Sequence, residues 1–473
     1  MKEVNLAVHS KMIPSLALLA MAGSLTLAPT VEGQCELVKL TPATSASLDF
    51  MGASIDMNGP VAIVGAFGSD VAATDAGAAY VYRYNGVNWA QEAVLTAGDA
   101  GISDRFGISV AIEGDVAIVG SYLDDDLGTN SGSAYIFRRN ATTGAWAQEA
   151  KLTAGDGAAN DRFGISVALN GGVGLVGSYF NDGVAVNSGA AYVYRYDAGG
   201  LVWNQEAKLT AGDGAAEDRF GFSVALDGGA AVLGSYLDDD GGVDSGSAYV
   251  FRYDAGASVW NQEAKLTAGD GAAGDNFGVT VDLSGELVIV GSYLNDALAA
   301  DAGAAYTFLN GVGWAQDAKL TASDGSAFDR FGIAVAASGR SAMVGAYFND
   351  QMGLDAGAPY VYGGLLGSDC NSNGVLDSCE IANGLLVDAN ANQIPDLCEP
   401  YPCPADCAPQ NPDGTWGDGA INIQDLVAII NNFGSANGPC DFSPANPDGS
   451  YGDGVVNIMD LISLINNFGV CSP

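Results

Sequence analysis

The sequence predicts a mainly β fold: a six-bladed β-propeller closed by its own N-terminal strand, followed by calcium-binding loops and a small two-helix domain. Three observations predict it. A glycine at one point of a repeated phrase recurs at Gly52, Gly107, Gly164, Gly221, Gly278 and Gly332, in steps of 55, 57, 57, 57 and 54 residues. A tryptophan keeps the same beat at Trp89, Trp146, Trp203, Trp260 and Trp314. Beyond residue 364 the repeat stops, and seven of the eight cysteines crowd into an Asn- and Asp-rich stretch. A fixed period of this size marks a propeller, a solenoid or an array.

The elements of one period follow in order. "FGISVAL" (163–169) alternates large and small side chains, and a glycine turn leads to "VGLVGSY" (173–179). A polar loop precedes "GAAYVYRY" (189–196), and "WNQEAKLT" (203–210) completes the set. These are four short strands rich in Val, Ile, Tyr and Phe between Gly, Asp and Asn turns. No helical periodicity runs through them. Four-stranded units of this length suit propeller blades, which leave only short, protected edges. Strict repetition assigns the tyrosines and tryptophans to packing between blades, and no blade departs from the repeat in a concerted way.

Closure follows from a count. The first three strands occur six times, but the "QEAKLT" strand occurs only five times after a tryptophan. The sixth copy is "CELVKLT" (35–41), and the last repeat ends at "APYVYGG". The N-terminal strand is therefore expected to complete the last blade, with the propeller spanning 34–365. Cys35 would then lie near Cys370, and a Cys35–Cys370 bond is expected as a second latch. Sequence alone leaves the connectivity of eight cysteines open, with about 105 arrangements.

The phrases "RFGISV" and "VGLVGSYFND…SGAAYVY" resemble the FG-GAP repeat, the unit of integrin α-subunit propellers and of many bacterial surface proteins. The resemblance covers the propeller region and implies a propeller fold and an adhesive or binding role. Integrin propellers close seven blades; this sequence counts six. Many such repeats carry a compact D-x-D-x-D-G calcium loop. The corresponding loops here, "LDDDLGTNSG" (123–132), "FNDGVAVNSG" (180–189) and "LDDDGGVDSG" (237–246), lack the alternating spacing. They read as solvated hairpins, with Asp124, Asp126, Asp238 and Asp240 as the residues that could hold calcium.

Residues 366–400 carry two cation loops. In "DCNSNGVLDSCE" (369–380), Asp369, Asn371, Asn373, the Val375 carbonyl, Asp377 and Glu380 fall at positions 1, 3, 5, 7, 9 and 12. Those are the oxygen-ligand positions of an EF-hand loop, and Gly374 makes its sharp turn. "DANANQIPDLCE" (388–399) repeats the pattern with Asp388, Asn390, Asn392, the Ile394 carbonyl, Asp396 and Glu399, and with Gln393 in place of the glycine. Cys379 and Cys398 share a slot. The pair resembles thrombospondin type 3 repeats, which implies a segment held by calcium and disulfides.

Residues 401–473 hold a duplication of period 35: "GDGAINIQDLVAIINNFG" (417–434) and "GDGVVNIMDLISLINNFG" (452–469). Asp418, Asn422 and Asp425 fall at slots 5, 9 and 12 of a calcium loop, as do Asp453, Asn457 and Asp460. Asn422 and Asn457 can also cap the helices that follow. Leu426, Ile429, Ile430 and Phe433 form one helical stripe, and Leu461, Leu464, Ile465 and Phe468 another. The segment resembles a dockerin type I domain, which implies calcium binding and docking to a cohesin-like or other protein partner. Asp406 and Asp441 are the slot-1 ligands, each followed by an insertion; Asp413 or Asp448 could substitute. Slots 10 and 11 hold Ile423–Gln424 and Ile458–Met459 where dockerins often carry small hydroxyl residues, so a hydrophobic docking face fits another partner equally.

Composition bounds the function. Lys and Arg number 17 against 56 Asp and Glu, a formal net charge of -39. Such a surface repels nucleic acid and anionic membranes. Lys2, His9 and Lys11, followed by an apolar run from Ile13 to Ala28, read as an export signal over residues 1–33. No later segment is apolar and long enough to span a bilayer. The expected location is extracellular or at the cell surface, where disulfides persist. His9 is the only histidine and leaves with the signal. That excludes Ser-His-Asp triads, Cys-His pairs and His-ligated zinc from the mature chain. The expectation is a secreted, non-catalytic, calcium-binding interaction or adhesion protein, with a glycan or surface protein as ligand of the propeller. The alternative is a carbohydrate-active component, lectin or polysaccharide-degrading, using two carboxylates.

Overall fold

The computed structural model describes residues 40, 42, 48–339, 341–350 and 355–362. The export segment, all but Leu40 of the strand read at 35–41, the eight cysteines, the calcium ligands from Asp369 to Asp460 and the two-helix domain lie outside the described residues.

The described residues form a six-bladed β-propeller. The first blade is β1 (Ser54–Asn58), β2 (Val61–Ala66), β3 (Ala78–Tyr84) and β4 (Trp89–Leu95). The second is β5 (Val110–Glu113), β6 (Val116–Ser121), β7 (Ser133–Arg139) and β8 (Trp146–Leu152). The third is β9 (Val167–Asn170), β10 (Val173–Ser178), β11 (Ala190–Asp197) and β12 (Val202–Leu209). The fourth is β13 (Val224–Asp227), β14 (Ala230–Ser235), β15 (Ser247–Asp254) and β16 (Val259–Leu266). The fifth is β17 (Phe277–Ser284), β18 (Leu287–Ser292), β19 (Ala304–Leu309) and β20 (Ala315–Leu320). The sixth has three strands among the described residues: β21 (Phe331–Ser338), β22 (Ser341–Ala346) and β23 (Ala358–Tyr362). Every blade is an antiparallel meander in chain order. From blade one to blade six the first strand of each contacts the first strand of the one that follows it in the chain, so β1, β5, β9, β13, β17 and β21 are the inner strands.

Local chemistry dictates the hairpins. Asn170 pairs with Val173 across a two-residue Gly171–Gly172 loop. Both glycines are left-handed, φ 58° and 73°, the conformation that a tight hairpin on twisted strands requires. The first strand begins later than the sequence suggests in blades two to four, at Val110, Val167 and Val224. In blade three Arg162 and Gly164 take φ 56° and 91°, and the backbone cannot run straight through Phe163. That residue instead makes an isolated parallel bridge to Gly132 of the preceding blade.

The core sits between blades rather than inside them. At the second seam, Ile118, Ile136 and Leu152 of blade two pack on Phe163, Val176 and Tyr192 of blade three. Phe163 meets Tyr192 edge-on, centroids 5.5 Å apart. β11 is consequently buried on both faces from Ala190 to Tyr194, which explains its unbroken apolar run. The seam is tight enough to exclude a side chain: a Cβ on Gly120 would lie 1.9 Å from the Gly164 carbonyl oxygen. The Ser109 hydroxyl donates to that same oxygen at 2.9 Å.

A bulge recurs between the third and fourth strands, at Val193/Tyr194 in blade three and Ile136/Phe137 in blade two. The extra residues, Glu206 and Glu149, are re-aimed by the kink. Glu149 pairs with Arg138 of its own blade and accepts from the Trp203 indole of the next blade at 2.9 Å. The tryptophan repeat is thus a seam contact, as its regular spacing suggests.

Candidate functional site

One rim of the propeller gathers most of the polar chemistry. The loop between the second and third strands of each blade meets the connection that enters the next blade: Asn160 N donates to Thr129 O, and Arg162 N to Asn130 O. Two layers of side chains lie along this rim.

The outer layer is a lysine in a nest of acids. In blade two, Lys151 Nζ lies 2.6 Å from Asp99 and 3.1 Å from Asp124, and also contacts Asp126. Tyr135 donates its hydroxyl to the same Asp99 and Asp124. Oxygens of Asp99, Asp124 and Asp126 fall within 4.8 Å of one another. This is the arrangement that could hold calcium, and the ammonium occupies its centre. Blade four repeats it with Lys265 on Asp213, Asp238 and Asp240. The four residues singled out in the sequence as possible calcium ligands are therefore the ones that clasp a lysine.

The electrostatics follow. Burial works against the charge of Lys151, but hydrogen bonds to Asp126, Asp99 and Asp124 outweigh it and hold the ammonium above the usual lysine range. Burial opposes ionisation of Asp99 too; bonds from Lys151 and Tyr135 win and hold its carboxyl below the usual value. Burial, reinforced by the Asp124 charge, pushes the Tyr135 phenol far up, so it remains a donor.

The inner layer is arginine on aromatic rings. The "DRFG" steps place Arg105, Arg162, Arg219 and Arg330 in left-handed backbone, φ 56° to 66°, uncommon for any residue but glycine. Each stacks on an aromatic of the preceding blade: Arg105 on Phe67, Arg162 on Tyr122, Arg219 on Tyr179 and Phe180, Arg330 on Tyr293. Phe50 and Asn276 fill the arginine position in blades one and five, and Phe50 lies parallel on Phe67 at 4.9 Å.

These arginines differ in their partners. Arg105 pairs with Asp75 at 2.9 Å. At the equivalent place Arg162 and Arg219 meet Asn130 and Asn187, to whose carbonyls their own backbone N–H groups donate. Arg162 hydrogen-bonds the Tyr179 hydroxyl, and Arg219 pairs with Glu217. Arg162 Nε, Arg219 Nη1 and Arg330 Nε are buried without a hydrogen-bond partner.

Here the expectation that no blade departs in a concerted way fails. Around Arg162 and Arg219, Phe180 stands where blades two, four and five have leucine and blade six has Phe348, and Phe222 stands where the other blades have isoleucine, valine or alanine. Phe222 packs on Tyr179 at 5.3 Å and Tyr236 at 4.6 Å. These positions lie 42 residues apart in the chain and become one patch only where blades three and four touch.

A third group lies on the inner strands. Asp56 and Asp282 replace the alanine that blades two, three, four and six carry at that position. Asp56 accepts from Ile112 N of the next blade at 2.6 Å, and Asp282 from Ala337 N at 2.6 Å. Burial raises both carboxyls. Asp282 reaches about 6, with the charges of Asp56 and Asp227 adding to the effect.

Comparison with known families agrees with this architecture. The family model of the FG-GAP repeat matches residues 35–82, 89–137, 146–194, 203–251, 260–308 and 314–362, more than half of the chain. No curated protein matches. Among solved structures, a protein from Lactobacillus plantarum determined as a structural-genomics target is similar at 13% identity and TM-score 0.43, covering 69% of this chain and 83% of its own.

Proposed function

Because the chain belongs to the FG-GAP repeat family, we propose that it is a secreted, non-catalytic interaction or adhesion protein. The propeller is the binding or display module. The calcium-loaded tail, thrombospondin type 3-like over 366–400 and dockerin-like over 401–473, is the docking module. The observation that carries this reading is the state of the acids on the rim. They recur in blades two and four and are engaged by Lys151, Lys265 and their tyrosines. A glycosidase needs two carboxylates in unlike environments, and the acid nests of blades two and four are alike.

Closure by residues 35–41 belongs to the same proposal. The sixth blade has three strands among the described residues, and its last strand alternates between half-buried and exposed side chains where β11 is buried. Tyr360 donates to Asp324 at 2.7 Å and contacts Asn349, the set that holds a lysine in blade five. "KLT" at 39–41 carries a lysine in register with Lys319 of "KLT" at 319–321.

Calcium titration of the full chain tests the tail. We expect about four chelator-removable ions, one per loop, and none on a chain ending at residue 365. A panel of polysaccharides tests the rest: turnover abolished by one carboxylate substitution would replace this reading with the carbohydrate-active one.

A further inference from the structure

We propose that the seam between blades three and four is a binding site for a single carboxylate, presented beside an apolar side chain on a neutral or basic peptide segment of a protein partner. The inference deepens the binding-module reading and rests on it.

Two guanidinium groups share one ring. Arg219 lies 3.7 Å from the Phe180 centroid and Arg162 4.5 Å from it. Their carbons are therefore no more than about 8 Å apart, close enough for mutual repulsion to matter in half-buried surroundings. One acid, Glu217, serves the pair. Elsewhere on the rim the same chain surrounds each lysine of blades two and four with three acids. A chain of net charge -39 places neutral Asn130 and Asn187 opposite these two arginines, so that Arg162 has no ion-pair partner among the described residues and Arg219 has Glu217.

Hydrogen-bond demand points the same way. Arg162 Nε and Arg219 Nη1 are buried and unpartnered. Leaving such donors unmet is costly, and a native structure that does so marks a strained or ligand-taking place. Tyr179 accepts from Arg162, and no acceptor for its own proton is found among the described residues. Burial raises that phenol despite the nearby Arg162, so the hydroxyl stays protonated and able to donate. Left-handed backbone at both arginines holds the groups in place. A carboxylate accepts from a guanidinium fork and a phenol together.

The surroundings choose the carrier. Phe180, Phe222 and Tyr236 offer half-buried aromatic walls, which suit an apolar neighbour of the carboxylate. Exposed acids flank the patch at Asp182, Glu217 and Asp239. They repel a polyanion such as a uronate polymer and attract lysine or arginine next to the anchoring acid.

The test uses the full chain and fluorescence polarisation of a labelled hexapeptide with one Glu beside one Phe, flanked by lysines, against its Gln counterpart. The expected result is at least a tenfold preference for the Glu peptide. Arg162→Gln with Arg219→Gln abolishes that preference; Arg105→Gln, on the same rim but already paired with Asp75, leaves it intact. Equal binding of the two peptides by the unaltered chain overturns the proposal without relying on any variant. Tighter binding of oligogalacturonate or of a mono-uronate glycan than of the Glu peptide overturns the assignment to a peptide. Repeating the measurement with chelator separates the two readings: a failed tail leaves the Glu preference unchanged, whereas a failed site removes it at every calcium level.

Discussion

Blades two and three are near-copies, yet they solve the same electrostatic problem differently. Blade two buries Asp124, with 4% of its side chain exposed, under Lys151, and Ser133 donates to it at 2.9 Å. Blade three has Asn181 and Ala190 at those positions. Asn181 donates to Asp161 at 2.7 Å, and Lys208 is left with Asp156, whose side chain is 53% exposed. Blade four follows blade two with Asp238 and Ser247; blade five follows blade three with Asn295 and Ala304. The acid and the hydroxyl change together because a buried carboxylate needs donors for its lone pairs. Remove the charge and the donor becomes dispensable.

The largest test breaks the charged version. Lys151→Met leaves three acids without their cation, and loss of one partner of a buried pair costs about 3–5 kcal/mol. Urea unfolding of the full chain should show that loss, and millimolar calcium should recover part of it by entering the vacated nest. A Lys151→Met chain as stable as its parent would remove the claim that lysine replaces a metal here.

Next comes conversion of one blade toward the other. Asn181→Asp sets a second carboxylate against Asp161, whose own carboxyl burial already raises. We expect a loss of about 1–3 kcal/mol at neutral pH, shrinking on acidification. Adding Ala190→Ser should restore some of it.

The inner strands carry the comparison to an acid with no lysine beside it. The Asp282 carboxyl stands at about 6 in the fold against 3.8 unfolded. The folded chain thus holds this proton more tightly. The associated stability is present in full below the unfolded value and is lost as pH rises through about 6, a difference of about 3 kcal/mol for a shift of this size. Asp282→Ala, the residue of four other blades, should flatten that part of the pH profile. An unchanged slope between pH 4 and 7 would contradict the burial of this group.

The smallest expected effect is Lys208→Met. Its acid is half in water, so the loss should stay near 1 kcal/mol or below, with no recovery by calcium. Equal losses at Lys151 and Lys208 would erase the distinction between the blades.

Much of this was legible in the chain. The 57-residue beat, the glycine pairs and the double-faced apolar runs imply six copies of a four-stranded unit. The seam role of the tryptophans was legible too, since the indole contact to a glutamate of the preceding blade recurs at Trp146, Trp203 and Trp260. The lysine nests were not. Asp99, Asp124 and Lys151 come from a connection, a loop and a strand, and their convergence depends on how one blade abuts the next.

By itself, then, the sequence determined the repeating unit, its strand order and its number, because periodicity, turn glycines and side-chain alternation act over a few residues. Only the tertiary structure decided which charges meet. It put an ammonium where the Asp-rich loops suggested a cation, and it brought Arg162, Phe180, Arg219 and Phe222 into one patch. Electrostatic and stacking interactions depend on separation in space, and in a propeller the nearest neighbour of a residue is often about one repeat away along the chain.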